Sequence, residues 1–198
     1  MSSSHRYFIV NKPFNMHSQF IGAEGGMMLG DLKFDFPLGT HCIGRLDSTS
    51  EGLLILTTNK QMTQLLFKSA RPHKRTYLIQ VYKNISPQAL HQLREGVLIK
   101  VTDQGIYKTA PCQVTVVEKP ADLFESGWQY PDHIPSTWLE ITLTEGKFRQ
   151  IRKMMSAVNH RCLRLIRISI ESLTLGTLQP FEVQEISEEE IFQKLGFS

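Results

Sequence analysis

Cysteine is scarce in this chain and follows no pattern. The three that occur, Cys42, Cys112 and Cys162, are far apart and include no Cys-x-x-Cys pair. A disulfide framework needs an even, regularly spaced set of cysteines and a zinc knuckle needs close pairs, so neither is expected. The histidines form no His-Glu-x-x-His motif, which also argues against a zinc site. We predict a cytoplasmic protein that holds no metal.

Long apolar runs are missing as well. No stretch approaches the roughly eighteen apolar residues that a membrane span needs, and the start, MSSSHRYFIVNKP, has no hydrophobic segment of a secretion signal. No internal repeat, low-complexity block or Gly/Ser-rich linker divides the 198 residues. A chain of this length can bury one core. We therefore expect a soluble protein without membrane contact, folded as a single domain over residues 1–198, for which a monomer suffices.

What the chain does contain is mainly strand pattern, in which apolar and polar residues alternate or β-branched and aromatic residues cluster. We predict strands in RYFIVNKP before Pro13, at 53–57, 75–82, 97–101 and 112–118, and in WLEITLTEG and CLRLIRISI. We predict helices at 60–69, 86–96 and 148–158, and a fourth opened by Ser187-x-x-Glu190. The fold class is α+β with a mainly antiparallel sheet.

Positive charge is concentrated in one segment. Lysine and arginine total 22 against 19 acidic residues, yet residues 145–167 carry seven basic residues and one acid. Helical spacing places Arg149, Arg152 and Lys153 opposite the apolar face of the predicted helix. Such a run is most often a solvated face. Because Arg161, Arg164 and Arg167 continue the charge into the next strand while glutamates cluster near the C-terminus, a nucleic-acid surface is the favoured alternative.

An unusual acid precedes the second predicted strand. In GRLDSTSEGLLIL, Asp47 lies in a loop between Arg45 and an apolar run. An isolated aspartate before Ser-Thr-Ser is ordinarily a turn or capping residue. A glycosidase pair of Asp47 with Glu51 lacks any other sign of a carbohydrate substrate.

Several stretches, taken in order, resemble the motifs of the RNA pseudouridine synthases of the ribosomal small subunit synthase A family. They are NKPFNMHSQF, GRLDSTSEGLLIL, Arg75-Thr76-Tyr77, and EGKFRQIRKM followed by LRLIR. The resemblance runs from about residue 7 to residue 185. It implies the pseudouridine synthase fold, with two lobes around a basic active-site cleft. The stretches NKPFNMHSQF and IPSTWLEITLTEGKFRQIRKM are most similar to large-subunit enzymes of the family, which implies 23S ribosomal RNA as the partner.

The resemblance also assigns roles to individual residues. It makes Asp47 the catalytic aspartate, which Arg152 keeps ionised, while Tyr77 packs against the target base and handles a proton. Leu165 lines the uracil pocket, and Arg45 fills the gap left by the flipped base. We expect RNA contacts from the remaining basic residues of the segment, Arg149, Lys153, Arg164 and Arg167. Each has an ordinary reading, since Tyr77 and Leu165 suit a core and Arg152 suits a solvated surface.

Two positions depart from the family pattern. Phe148 stands where related enzymes often have a polar residue, and Asn15 where many have glycine. Few residues precede the first motif, so we expect no N-terminal S4-like RNA-binding module. Isomerisation of uridine changes no oxidation state, so we also expect no cofactor. The rival hypothesis is a non-catalytic RNA-binding or ribosome-assembly factor on the same fold.

Overall fold

The computed structural model describes residues 5–22, 25–67, 72–102, 104–131 and 133–197. Within these residues strands outnumber helices, and a short 3-10 helix lies at Leu29–Asp31. The strands are β1 (Tyr7–Lys12), β2 (His41–Ile43), β3 (Glu51–Thr57), β4 (Arg75–Tyr82), β5 (Leu98–Val101), β6 (Gly105–Lys108), β7 (Gln113–Val117), β8 (Ser136–Leu143), β9 (Cys162–Ile170), β10 (Leu173–Thr174) and β11 (Val183–Ile186). The helices are α1 (Met62–Phe67), α2 (Pro87–Glu95), α3 (Gln150–Ala157) and α4 (Glu188–Leu195).

The predicted α+β class with mainly antiparallel pairing is confirmed. Helix α2 begins as predicted, because the Ser86 hydroxyl accepts a hydrogen bond from the Ala89 N–H at 3.1 Å, and it ends at Gly96. Helix α1 begins at Met62, later than predicted, and the predicted residues 68 and 69 lie outside the described residues. Strand β6, which was not predicted, forms a hairpin with β5.

Contacts divide the described residues into two compact units. The first contains the chain up to His73, the segment Phe124–Trp128, and the chain from Ile166 onward. The second contains Lys74–Leu123 and Gln129–Leu165. Strand β9 therefore contributes its first four residues to the second unit and its remaining residues to the first.

The first unit is built on strands that are buried on both faces. Its sheet has the order β11-β1-β3-β9, with β2 paired to β3 and β10 to β9. Every residue of β1 and β3 is buried, which explains their nearly continuous apolar sequences. Phe8 of β1 packs edge-on against Phe34 and Phe36 from the long loop that follows.

The second unit contains strands β4, β8 and β7 of the large sheet and has a core of its own. Strand β4 pairs antiparallel with β8, and β8 with the edge strand β7. Helix α3 buries Ile151, Met154 and Met155 in the core of this unit, together with apolar residues of β4, β8 and the β5–β6 hairpin. The predicted apolar face of this helix is thus where the periodicity placed it.

A buried lysine joins the loop between β2 and β3 to the end of β1. The Lys12 ammonium is fully buried and donates to the carbonyl oxygens of Pro13 at 2.9 Å, Met16 at 2.8 Å and Ser48 at 3.3 Å. Burial lowers the pKa of Lys12 to about 7, although Glu51 and Asp47 favour its charged form. A buried cation surrounded by carbonyl oxygens is a strong local constraint on the backbone, because each donor bond offsets part of its desolvation.

A glycine permits close approach between β3 and β9. The two strands pair in parallel through Glu51 with Ile166 and Gly52 with Arg167. A Cβ atom on Gly52 would lie 2.4 Å from the Arg167 carbonyl oxygen and 2.9 Å from its nitrogen, and the φ of Gly52 is +98°. No other residue type fits this position, because both the backbone conformation and the space exclude a side chain.

We expect Gly52→Ala to lower the free energy of unfolding by about 3 kcal/mol or more, because a left-handed φ and a backbone clash act together. Gly39→Ala is the matched control, since Gly39 has a φ of +87° and no atom within 4 Å of an added Cβ. That variant should lose about 1–2 kcal/mol. Urea unfolding of both variants measures the difference, and equal losses would contradict the close-approach argument.

The lowered pKa of Lys12 gives stability a pH dependence of known sign. Between about pH 7 and about pH 10.5 the unfolded chain binds this proton and the folded chain does not, so the free energy of unfolding rises with pH over that range. Relative to Lys12→Met, the wild type should gain on the order of 2–3 kcal/mol between about pH 7 and about pH 9.5.

Urea unfolding of wild type and Lys12→Met at both pH values measures this gain. The variant is the reference because every other titrating group is common to the two proteins and cancels in the difference. A wild-type advantage that is the same at the two pH values would show that the Lys12 ammonium titrates normally in the folded state.

Candidate active site

The loop that carries Asp47 is tied to the segment after β1 at several points. The Ser18 hydroxyl donates to the Leu46 carbonyl oxygen at 2.8 Å and accepts from the Leu46 N–H at 3.0 Å. The Asn15 N–H donates to the Ser48 carbonyl oxygen at 2.8 Å, the same oxygen that receives Lys12. Leu46 is buried between these anchors. Asp47 therefore lies between two backbone positions that are both fixed.

Exposure alternates along this loop in a way that suits a reactive carboxylate. Arg45 is exposed, Leu46 is buried, and Asp47 is half-buried. The Ser50 N–H donates to the Asp47 carbonyl oxygen at 2.9 Å and closes a tight turn before β3. A carboxylate in such a position is held in place by its neighbours while remaining accessible from solvent.

Charged groups of both signs surround the loop inside the first unit. Lys12, Glu51 and Arg167 are all nearly fully buried, and Asp47 and Glu51 favour the charged form of Lys12 whereas Arg167 opposes it. Two cations and two carboxylates thus interact within one unit. Mutual compensation of this kind is what makes buried charges tolerable.

Arg167 lies elsewhere than the sequence suggested. It was expected on an RNA-facing surface, yet it is 2% exposed and its Nε donates to the Leu53 carbonyl oxygen at 2.8 Å. A cation without solvent access is poorly placed to bind a phosphate, and its guanidinium instead ties β9 to β3. We therefore leave Arg167 out of the RNA-contacting set below.

The second unit holds Tyr77 and Leu165. Tyr77 lies on β4 opposite Ile141 of β8, is half-buried, and packs against the core of the unit. Leu165 is 6% exposed and belongs to the same core cluster. Both side chains thus contact one apolar cluster, which fits the apolar wall expected of each and equally fits ordinary packing.

Arg152 is held against the start of β9. It lies on α3, is half-buried, and its Nη1 donates to the Cys162 carbonyl oxygen at 3.3 Å. Burial raises the pKa of the Cys162 thiol to about 11, and the positive charges of Arg152 and Arg149 oppose that rise. Arg152 is therefore a fixed cation of the second unit rather than a freely solvated one.

The remaining basic residues of the segment lie nearer to solvent. Lys153 and Arg164 are half-buried and Arg149 is exposed. The helix predicted from 148 begins later, because Arg149 has a left-handed φ of 53° and precedes the first helical residue, Gln150. Arg149 therefore precedes the helix in a left-handed backbone conformation, which the helical periodicity of the sequence could not predict.

All three thiols are poorly ionised. Burial raises the pKa of Cys42, and raises that of Cys112 to about 11, as it does for Cys162. All three cysteines are free. None has the low pKa of a nucleophilic cysteine.

Sequence reasoning missed the residues that support this site. Lys12 and Ser18 fix the aspartate loop, and Gln150 fixes the turn before α3, where its amide contacts Glu145 and Lys147. The polar stretch after Pro13 had been interpreted as a plain loop. A lysine directly before proline, at the end of a strand that begins with the apolar run YFIV, was the available signal for Lys12.

Within the residues that the structure describes, no helix combines the length and apolarity that crossing a membrane requires. Over the same part of the chain, His, Cys, Asp and Glu side chains do not gather in threes or larger groups suited to a metal ion.

Comparison with known proteins points to one family. A model of the RNA pseudouridylate synthase family matches residues 6–157. A protein of Vibrio parahaemolyticus named ribosomal large subunit pseudouridine synthase E is 36% identical over 184 residues, which are 91% of this chain and 74% of that protein. A protein of the same name from Xanthomonas axonopodis pv. citri is 32% identical over 174 residues, 87% of this chain and 89% of that one.

A solved structure supports the fold. A crystal structure of a pseudouridylate synthase superimposes with a TM-score of 0.78 at 22% identity, covering 97% of this chain and 74% of the other. The predicted pseudouridine synthase fold is thereby confirmed. The motif order, the matched family model and the identity to these relatives agree, and the chain belongs to the RNA pseudouridylate synthase family.

Proposed function

We propose that this protein isomerises a uridine of large-subunit ribosomal RNA, the 23S RNA, to pseudouridine, with Asp47 as its catalytic residue. The observation that carries the proposal is the Asp47 loop, in which a half-exposed carboxylate lies between backbone positions fixed by Lys12 and Ser18. Family membership supplies the reaction class. The names of the relatives support the large subunit as the source of the RNA.

The reaction rearranges one nucleotide without adding or removing a group. The bond from ribose C1′ to uracil N1 breaks, the base turns, and C5 bonds to C1′. The proton on C5 is then lost to solvent and N1 gains one. Atoms and electrons balance, so the chain's own residues suffice and we propose no cofactor. Asp47 acts as the nucleophile or as the negative partner of the positive charge that develops at the sugar.

The family resemblance assigns further roles in the proposed chemistry. Tyr77 offers a ring that can pack on uracil and a hydroxyl that can assist the loss of the C5 proton. Arg152 is assigned the role of the cation that accompanies the catalytic carboxylate. Leu165 contributes apolar surface, and Arg45, which is exposed beside Asp47, occupies the space left by the extracted base.

The substrate sets the expected partners. Arg149, Lys153 and Arg164 are proposed to contact RNA phosphates, because guanidinium and ammonium groups near solvent bind such oxygens. Ribosomal RNA as substrate implies action in the cytoplasm. The catalytic domain carries its own proposed RNA contacts, so we propose that the protein acts as a monomer.

Asp47→Asn tests the catalytic role. Tritium released from C5-labelled uridine in large-subunit RNA should fall by at least roughly a thousandfold, because the amide supplies no negative charge. RNA binding should remain, since the amide is isosteric. Asp35→Asn is the matched control, an exposed aspartate of the same unit, and it should release tritium at the wild-type rate.

The rival hypothesis of a non-catalytic assembly factor predicts a different result. It requires no tritium release from wild type, whereas unchanged RNA binding by Asp47→Asn is expected under both hypotheses. Release by wild type that persists in Asp47→Asn would retain the enzyme and remove this aspartate from the mechanism.

Salt dependence tests the proposed phosphate contacts. Affinity for a large-subunit RNA transcript should fall steeply as salt rises, because each neutralised phosphate releases counterions. Arg149→Gln should weaken binding and lower the slope of log Kd against log salt by about 0.7–0.9. Filter binding over a series of KCl concentrations measures both slopes, and a flat wild-type profile would contradict the basic surface.

A further inference from the structure

An exposed phenylalanine lies in the middle of the basic segment and has no role in the proposed chemistry. Phe148 is 66% exposed, the largest exposure of any phenylalanine side chain in the described part of the chain. Most other described phenylalanines pack against apolar neighbours, as Phe8, Phe34 and Phe36 do. Burial on folding stabilises this ring little, so its surroundings decide whether it can bind a partner.

The turn that presents Phe148 is rigid. The Gln150 side chain is 4% exposed, accepts a hydrogen bond from the Lys147 N–H at 2.8 Å, and donates to the Glu145 carboxylate at 2.5 Å. The same carboxylate accepts from the Tyr107 hydroxyl at 2.6 Å and the Ala110 N–H at 3.0 Å. Phe148 is thus held outward by a network on both sides of it in sequence.

One cation contacts the ring, and two others flank Phe148 in the sequence. The Lys153 ammonium lies 5.4 Å from the centroid of the Phe148 ring, within the range of a cation–π contact. Arg149 directly follows Phe148 and is exposed. Lys147 directly precedes Phe148, and its ammonium lies 4.6 Å from the centroid of the Tyr107 ring. An aromatic face among ammonium and guanidinium groups is complementary to a base attached to its phosphate.

We propose that Phe148 is a stacking platform for an unpaired base of the substrate RNA, a nucleotide other than the isomerised uridine. Lys153 covers one face of the ring and the base stacks on the other, while Arg149 binds a neighbouring phosphate. This inference rests on the proposed function for the identity of the RNA. It makes Phe148 a specificity-determining residue, because it requires an unpaired nucleotide in the substrate RNA in addition to the target uridine.

Phe148→Leu tests the platform, because leucine keeps apolar bulk and removes the aromatic face. We measure Kd for a large-subunit RNA transcript by filter binding, and tritium release with enzyme in excess over C5-labelled transcript. Phe148→Leu should raise both Kd and the half-saturating enzyme concentration about tenfold, with a much smaller change in the maximal rate. Phe148→Trp should bind as tightly as wild type or more so.

Two comparisons separate stacking from other roles. Ile106→Ala removes an apolar side chain of the same unit that is 69% exposed, and it should leave Kd unchanged. The slope of log Kd against log salt should be the same for Phe148→Leu and wild type, whereas Arg149→Gln lowers it. Thermal unfolding midpoints of Phe148→Leu and Ile106→Ala should match wild type, since both side chains are exposed.

Wild-type affinity in Phe148→Leu, or an equal loss in Ile106→Ala, overturns the inference. Wild type that releases no tritium defeats the proposed function alone, because the Kd measurements still decide whether the ring stacks on RNA. Tritium release by wild type together with unchanged Kd in Phe148→Leu defeats the platform and leaves the proposed function intact.

Discussion

The buried Lys12 ammonium is the contact on which the functional loop depends. Its three carbonyl partners come from two separate stretches of chain, and one of them, Ser48, directly follows Asp47. A neutral apolar residue in its place would remove this donor from the Pro13 and Met16 oxygens in a buried site, and would leave the Ser48 oxygen with the Asn15 N–H alone. The lysine therefore joins the end of β1 to the loop that carries Asp47 through its hydrogen bonds. The position of Asp47 depends on these hydrogen bonds.

Much of the fold followed from local sequence signals, and the exceptions have identifiable physical reasons. The bounds of β9, Cys162–Ile170, match the predicted segment, because apolar residues, half of them β-branched, occupy six of its nine positions. Helix α2 was predictable because Ser86 and Pro87 mark its beginning and Gly96 marks its end, each through local interactions of the backbone. Strand β6 was missed because GIYK is short and pairs only through a hairpin with β5. Its register is set by pairing with β5, and its own sequence is too short to show an alternating pattern of apolar and polar residues.

The site was less predictable than the fold, because its support is non-local. The motifs identified Asp47, Tyr77 and Arg152, whose roles remain proposals. They could not indicate that Arg167 is buried, since a basic residue in a strand looks the same whether it faces solvent or a carbonyl oxygen. Nor could spacing reveal that Arg149 adopts a left-handed conformation before α3. The burial of Arg167 depends on the pairing of β9 with β3, which is distant in the sequence.

The three thiols have a practical consequence for studying the protein. Burial keeps all of them protonated near neutral pH, with pKa values raised above the ordinary value, and maleimides and disulfide reagents attack the thiolate form. The native cysteines are therefore weak competitors for such reagents. A single cysteine introduced on an exposed surface can carry a fluorophore or a photocrosslinker without first removing the natural ones. The protein is therefore well suited to mapping its nucleic-acid contacts by site-directed labelling.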